Sequence, residues 1–110
     1  MTVTNTFVIK VGDYGHELDF YMLDEDGAVY TIPAEATLTF EAYLDGTTDL
    51  VVEDTTHVAV VGATSEGHIR YTVQSAAFAT AGTYWCQVLI NTITTDKVQL
   101  TVLADQTTPA

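Results

Sequence analysis

The stretch Thr80-Ala81-Gly82-Thr83-Tyr84-Trp85-Cys86 decides the fold of this chain. Aromatic and apolar residues follow a glycine that permits a tight turn, which is typical of a strand that starts at a corner. Because side chains alternate between the two faces of a strand, Tyr84 and Cys86 are expected to point inward and Trp85 outward. The stretch therefore predicts a half-buried strand over Thr83 to Ile90.

The same two-residue period recurs along the chain and predicts further half-buried antiparallel strands. The inward residues of three such strands are Leu18, Phe20 and Met22; Leu38, Phe40 and Ala42; and Ile69, Tyr71 and Val73. The remaining strands are predicted at Phe7 to Val11, Ala28 to Ile32, Val58 to Val61 and Lys97 to Leu103, with a short edge strand at Leu50 to Glu53.

Turn-forming residues separate these runs. They lie at Gly12-Asp13, Asp24-Glu25-Asp26-Gly27, Asp45-Gly46, Ser65-Glu66-Gly67 and Asn91 to Asp96. Short strands with a turn about every 8–12 residues are typical of a sandwich or barrel. One short helical turn is predicted, at Ser75 to Thr80.

Composition limits the classes of function. The 110 residues suit a single domain, which we place at residues 1–104, with a polar tail at 105–110. Fifteen acidic residues against three basic ones give a net charge of −12, which disfavours nucleic acid and anionic membranes as partners. The N-terminal residues lack the pattern of a signal peptide, and no apolar run is long enough to cross a bilayer.

The corner before the predicted strand resembles the one that precedes strand F in immunoglobulin domains. There a Gly, a Tyr and a Cys occupy alternate positions, as Gly82, Tyr84 and Cys86 do here, and the Tyr hydroxyl bonds back to the backbone. The chain departs from that pattern at Thr80, where an acidic residue is expected. Cys86 is also the only cysteine in the chain, so the cysteine on strand B that usually forms a disulfide with it is missing, and Leu18, Phe20 or Met22 is expected in its place. The resemblance implies an all-β, immunoglobulin-like antiparallel β-sandwich of about 7–9 strands without a disulfide.

A narrower resemblance covers Gly67 to Tyr84. Gly67-His68-Ile69-Arg70-Tyr71-Thr72-Val73, a short linker and Ala81-Gly82-Thr83-Tyr84 are similar to the immunoglobulin-like N-terminal domain of the phage baseplate upper protein family. The order of elements from Val11-Gly12-Asp13 to Ala36-Thr37-Leu38-Thr39-Phe40 is similar as well. The resemblance implies a structural role in a tailed-virus particle, with location in the virion and other capsid, tail or baseplate subunits as partners. Members of that family usually continue into further domains. Two roles are therefore considered for this chain, a head-decoration protein and a tail or baseplate component. Self-association into a homo-oligomer is a further possibility.

Candidate catalytic and metal-binding residues form no recognisable pattern. Cys86 is expected in the core, and His16, His57 and His68 lack the spacing of metal ligands. The acidic turn Asp24 to Gly27, with Asp13 nearby, could bind calcium weakly, but a solvated hairpin is favoured because the spacing matches no defined calcium loop. We therefore expect no catalysis and no cofactor.

Trp85 is the best functional candidate. On its face of the sheet, the outward neighbours on the last two strands are expected to form a partly apolar, uncharged interface with Trp85: Gln87, Leu89, Gln99, Thr101 and Leu103. Two alternatives remain. Trp85 could pack under a loop, or the chain could be an adhesion or carbohydrate-binding module in which Trp85, Tyr21, Tyr43 and His68 offer stacking surfaces.

Overall fold

The computed structural model describes residues 2–3, 7–10, 15–47, 49–74, 78, 80–95 and 97–103. Within these ranges the chain forms ten strands and one 3-10 turn, Thr64–Glu66. The strands are β1 Thr2–Val3, β2 Phe7–Lys10, β3 Glu17–Leu23, β4 Leu38–Leu44, β5 Leu50–Asp54, β6 Val58–Val60, β7 His68–Thr72, β8 Gly82–Ile90, β9 Ile93–Thr94 and β10 Val98–Leu103. No helix in the described part of the chain is long and apolar enough to cross a membrane.

The strands form two sheets. The four-stranded sheet has the order β1-β3-β7-β6, and the six-stranded sheet has the order β2-β10-β8-β4-β5, with β9 paired to β8. Every described pair of strands is antiparallel except β2 with β10, which run parallel. The predicted fold class is confirmed: the chain is an immunoglobulin-like β-sandwich, and Cys86 is a free, buried thiol.

The core lies between the inner faces of the two sheets. The nine side chains predicted to point inward from β3, from β4 and from the segment at β7 are all buried. Phe40 of the six-stranded sheet stacks on Tyr71 of the four-stranded sheet, with ring centroids 3.8 Å apart, and Phe20 meets Phe40 edge to face at 6.0 Å. Such aromatic pairs contribute about 0.5–1.5 kcal/mol each beyond the area that they bury, so they help hold the sheets together.

The corner before β8 is fixed by Tyr84. Its hydroxyl donates a hydrogen bond to the Thr80 carbonyl oxygen at 2.5 Å, and its ring packs edge to face on Phe78 at 5.2 Å. Gly82 has φ of 152°, and a Cβ there would lie 3.2 Å from Cδ1 of Leu44. Glycine is thus suited to this corner both by backbone conformation and by the close approach of β4.

The predicted strand Ala28 to Ile32 does not form. Only an isolated bridge joins Val29 to Leu23, because the Asp24 carboxylate accepts the backbone N–H groups of Asp26 and Ala28 and holds the segment in a turn. Ile32 nevertheless remains in the core, 1% exposed, whereas Val29 is 51% exposed, so a single residue of the segment is buried and no strand is needed to bury it.

Other expectations differ in smaller ways. The turn predicted at Asn91 to Asp96 contains β9, which doubles back on β8. The predicted edge strand is present as β5. Most of the helical turn expected at Ser75 to Thr80 lies outside the described residues, as do Gly12-Asp13 and the tail at 105–110.

Candidate protein-binding face

The six predicted interface residues lie on the outer side of the six-stranded sheet. Along β8, Trp85, Gln87 and Leu89 alternate with buried neighbours and are half-buried. Along β10, Gln99 and Leu103 are exposed and Thr101 is half-buried. Gln99 pairs directly with Trp85 in the register of the two strands. We call this surface, with the outward residues of β2, β4 and β5, the outer face.

Trp85 occupies the middle of the outer face and is not part of the buried core. Its neighbour across β4 is Tyr43, and its Nε1 donates a hydrogen bond to Oδ1 of Asp45 at 2.8 Å. The indole is therefore held in place by the turn after β4, but it stays half-buried and open to a partner.

A pocket of about 280 Å³ opens beside the indole. Its lining consists of Tyr43, Asp45, Gly46, Trp85 and Lys97. The ammonium of Lys97 lies 5.0 Å from the centroid of the Tyr43 ring, a cation–π distance. The pocket thus combines two aromatic side chains with one carboxylate and one cation.

Acidic residues enter the outer face from β4 and β5. Glu41 and Glu53 are direct partners in the antiparallel register, and Nε2 of Gln87 donates to Oε1 of Glu41 at 2.8 Å. No ion pair involves either glutamate within the described ranges. Like charges placed directly opposite on a sheet destabilise it. The outward side chains of β8 and β10 are therefore uncharged, as expected for the interface, but the neighbouring strands β4 and β5 add two glutamates to the same face.

Exposed apolar side chains lie at both edges of this sheet. Val8 on β2 is 63% exposed and pairs in register with Thr101, near Leu103. At the other edge, Leu50 and Val51 on β5 are 43% and 46% exposed. Exposed apolar residues on edge strands are unusual for surfaces that meet only water, because such edges can pair with other chains.

The outer side of the four-stranded sheet is different. Tyr21 stacks on His68, with ring centroids 4.4 Å apart, and Nε2 of His68 lies 2.8 Å from Oδ1 of Asp19. Arg70 bonds the same Asp19 oxygen through Nε at 2.7 Å and reaches Oε2 of Glu17 through Nη1 at 2.8 Å. Partial burial opposes ionisation of Asp19, but hydrogen bonds from Arg70 and His68 outweigh it and keep its pKa below the ordinary value.

The four aromatic residues considered for carbohydrate stacking are therefore divided between two faces. Trp85 and Tyr43 are neighbours on the six-stranded sheet. Tyr21 and His68 are neighbours on the four-stranded sheet. They do not form one continuous aromatic row.

Residues with nucleophilic or metal-binding chemistry are engaged elsewhere. Cys86 is fully buried, and this burial raises the pKa of its thiol. Nδ1 of His57 lies 2.8 Å from Oδ2 of Asp54, and His68 contacts Asp19 as described above. His16 is exposed. The structure thus does not bring Cys86 and a histidine together as a catalytic pair.

The acidic turn Asp24 to Gly27 closes on itself. Oδ1 of Asp24 accepts the backbone N–H groups of Asp26 at 2.9 Å and Ala28 at 3.0 Å. Asp13, expected nearby, lies outside the described residues. Among the residues that are described, no three or more His, Cys, Asp or Glu side chains are grouped as metal ligands would be.

No model of a known protein family matches the chain, and no curated protein sequence matches it. Function is therefore inferred from the two outer faces and from the resemblance carried by residues 67–84. Of the two faces, the one around Trp85 has the properties of an interface core: aromatic side chains, a pocket, and exposed apolar residues at its edges.

Proposed function

We propose that the chain is a non-enzymatic structural protein of a tailed-virus particle, as a head-decoration protein or a tail or baseplate component. It docks on neighbouring virion subunits through the outer face of the six-stranded sheet. The resemblance of Gly67 to Tyr84 to the baseplate upper protein family supports the virion role, and the geometry around Trp85 supports the docking face.

The observation that carries the docking face is the pairing of Trp85 with Tyr43 beside a pocket. Trp and Tyr are enriched among the few residues that dominate binding energy, and they act best where a pocket excludes water. Gln99, opposite Trp85, and Gln87, two residues further along β8, carry no charge, so covering them costs less than covering ionised side chains. A partner that covers this face gains most of its energy near Trp85.

The two edges of the sheet extend the same surface. Strands β2 and β5 are the edge strands, and both carry exposed apolar side chains. An edge strand can accept an extended segment of another chain by main-chain hydrogen bonding. In a symmetric particle, many copies of a weak contact act together, so modest affinity at each face is sufficient for stable attachment.

Immunogold labelling of virus particles from the material that yielded the sequence tests the virion role. The antibody must recognise the native domain, which is checked first on the purified protein. Gold on the head supports a decoration protein, and gold on the tail or baseplate supports a component of that assembly. Unlabelled particles, with an antibody that binds the native protein, overturn the virion role.

The variant Trp85→Ala tests the docking face. It removes the partly buried indole and its hydrogen bond to Asp45, so we expect the domain to stay folded, with a loss of about 2–3 kcal/mol in the free energy of unfolding. Incorporation into particles, measured by competition with the unmodified protein, should fall strongly. Tyr21→Ala is the matched control, because Tyr21 is an exposed aromatic on the other sheet. Equal incorporation of the two variants contradicts a docking role for Trp85.

An adhesion or carbohydrate-binding module is the second candidate. One observation favours it: Tyr43 and Trp85 stand side by side at a pocket, as stacking platforms for sugar rings do. Binding to a glycan array by the unmodified domain, lost in Trp85→Ala, together with unlabelled particles, would establish this candidate in place of the first.

A further inference from the structure

We propose that the partner inserts an arginine side chain into the pocket beside Trp85, so that the docking surface on the partner is basic. This inference rests on the docking face proposed above and adds the chemistry of what binds there. It follows from the walls of the pocket, from the carboxylates around it and from the position of Lys97.

The size and walls of the pocket suit one long side chain. Its volume of about 280 Å³ lies below the range of roughly 300–1,000 Å³ typical of sites for whole small molecules. Tyr43 and Trp85 supply aromatic groups, on which a planar guanidinium stacks favourably. The lining comes from β4 and the turn after it, from β8 and from the residue before β10.

Three carboxylates favour a cationic occupant: one in the lining of the pocket and two in the next row of the outer face. Oδ1 of Asp45 accepts the indole N–H, while its Oδ2 has no hydrogen bond within the described residues. Glu41 and Glu53 lie in the next row of the same face, opposite each other, and among the residues that the structure describes no cation pairs with either of them. A guanidinium presents five N–H donors and can bond a carboxylate and stack on a ring at once, whereas a lysine ammonium acts as a point charge.

Lys97 shows that the site attracts a positive charge. Its ammonium already lies over the Tyr43 ring, so within the free protein it occupies part of the position that the arginine takes. Lys97 is exposed and its side chain is long, so it can swing away when a better ligand arrives. An acidic partner that bound Lys97 instead would approach a chain of net charge −12, which repels it.

A titration with N-acetyl-arginine amide, followed by two-dimensional nitrogen–proton NMR, tests the inference. Trp85 is the only tryptophan in the chain, so its indole N–H gives a single resonance that reports on the pocket. We expect saturable shifts of that resonance and of the Tyr43 amide. N-acetyl-citrulline amide, which has the same shape without the charge, should leave both unchanged. Equal shifts with the two compounds, or arginine shifts spread over the acidic surface without the indole, overturn the inference.

Three variants and one control variant sharpen the result. Glu41→Gln and Glu53→Gln should each weaken arginine binding about 2- to 5-fold at low salt, as expected for exposed ion pairs. Glu35→Gln, a charge-matched control in the exposed loop before β4, should leave binding unchanged. Lys97→Met should strengthen binding, because it removes the internal competitor. Weaker binding in Lys97→Met contradicts the inference, since it shows that the lysine helps to hold the ligand.

The outcomes separate this inference from the proposed function. If Trp85→Ala abolishes incorporation into particles but arginine amide does not shift the indole resonance, the docking face stands and the arginine inference fails. If the indole shifts as expected but particles are unlabelled, the virion role fails and the arginine pocket stands.

Discussion

Replacement of Glu53 by lysine should stabilise the domain. Glu53 on β5 and Glu41 on β4 are direct partners in an antiparallel register, where Cβ atoms lie about 4.5–5.5 Å apart. Both side chains point to the outer face, and neither has an ion pair within the described ranges. Glu53→Lys turns this repulsion into an attraction on an exposed edge strand, where the new side chain meets no packing constraint.

The size of the effect follows from Coulomb's law. Two unit charges about 6 Å apart in water interact by about 0.7 kcal/mol, and salt at 0.1 M reduces this to roughly 0.4 kcal/mol. Reversal of one sign changes the energy by about twice that amount, or ~0.8 kcal/mol. For a domain of this size, such a gain raises the melting temperature by about 3–5 °C.

Urea unfolding of both proteins at 0.1 M and 1 M sodium chloride measures the effect. The gain should shrink to about 0.2 kcal/mol at the higher salt, because the screening length falls to roughly 3 Å. Glu35→Lys is the control, since it changes the net charge by the same two units without a glutamate opposite it. If the two variants are equally stabilised, the gain comes from net charge alone and the cross-strand reasoning is refuted.

Three further predictions concern the core and the pH dependence. Tyr84→Phe removes the hydroxyl that closes the corner before β8 and should lower the free energy of unfolding, measured by urea denaturation, by about 0.5–1.5 kcal/mol. The control Tyr43→Phe, on the outer face, should leave the free energy of unfolding unchanged. The pKa of Asp19 in the folded protein lies below its ordinary value, so its contribution to stability is present above about pH 4 and is lost as the pH falls through that lower pKa. In a plot of melting temperature against pH, Asp19→Asn should therefore reduce the fall on the acid side. A plot identical to that of the unmodified protein would contradict this. Cys86 is buried and should react with a thiol reagent only when the chain unfolds. If the native protein is labelled as fast as free cysteine, the thiol is accessible and this prediction is wrong.

The sandwich could be predicted because its strands alternate strictly. Residues such as Phe20 and Phe40 occupy every second position, and that period alone assigns them to the inner face. The segment Ala28 to Ile32 was predicted wrongly because its backbone is held by the Asp24 turn, and of its apolar residues only Ile32 is buried while Val29 is 51% exposed. Such side-chain-to-backbone hydrogen bonds compete with strands without changing the apolar pattern.

The candidate site could be predicted only in part. The alternation along β8 assigned Trp85 to the outside, and the outward positions of β8 itself and of the last strand, β10, supplied its predicted neighbours. The partners contributed by β4 and β5 were missed, since the register between strands distant in sequence cannot be deduced from one sequence. Tyr43 and Asp45 lie about forty residues before Trp85, yet they form the pocket with it. What decides the chemistry of the face is therefore long-range pairing.

The distribution of charge differs between the two sheets and favours the six-stranded sheet as the proposed docking face. On the four-stranded sheet, Arg70 pairs with both Glu17 and Asp19, so part of the negative charge of that face is balanced within the face. On the six-stranded sheet, Glu41 and Glu53 oppose each other without such a cation. The single substitution Glu53→Lys would relieve that repulsion. The two carboxylates lie one row from the aromatic pocket, so a basic partner of the kind proposed would turn their mutual repulsion into binding energy.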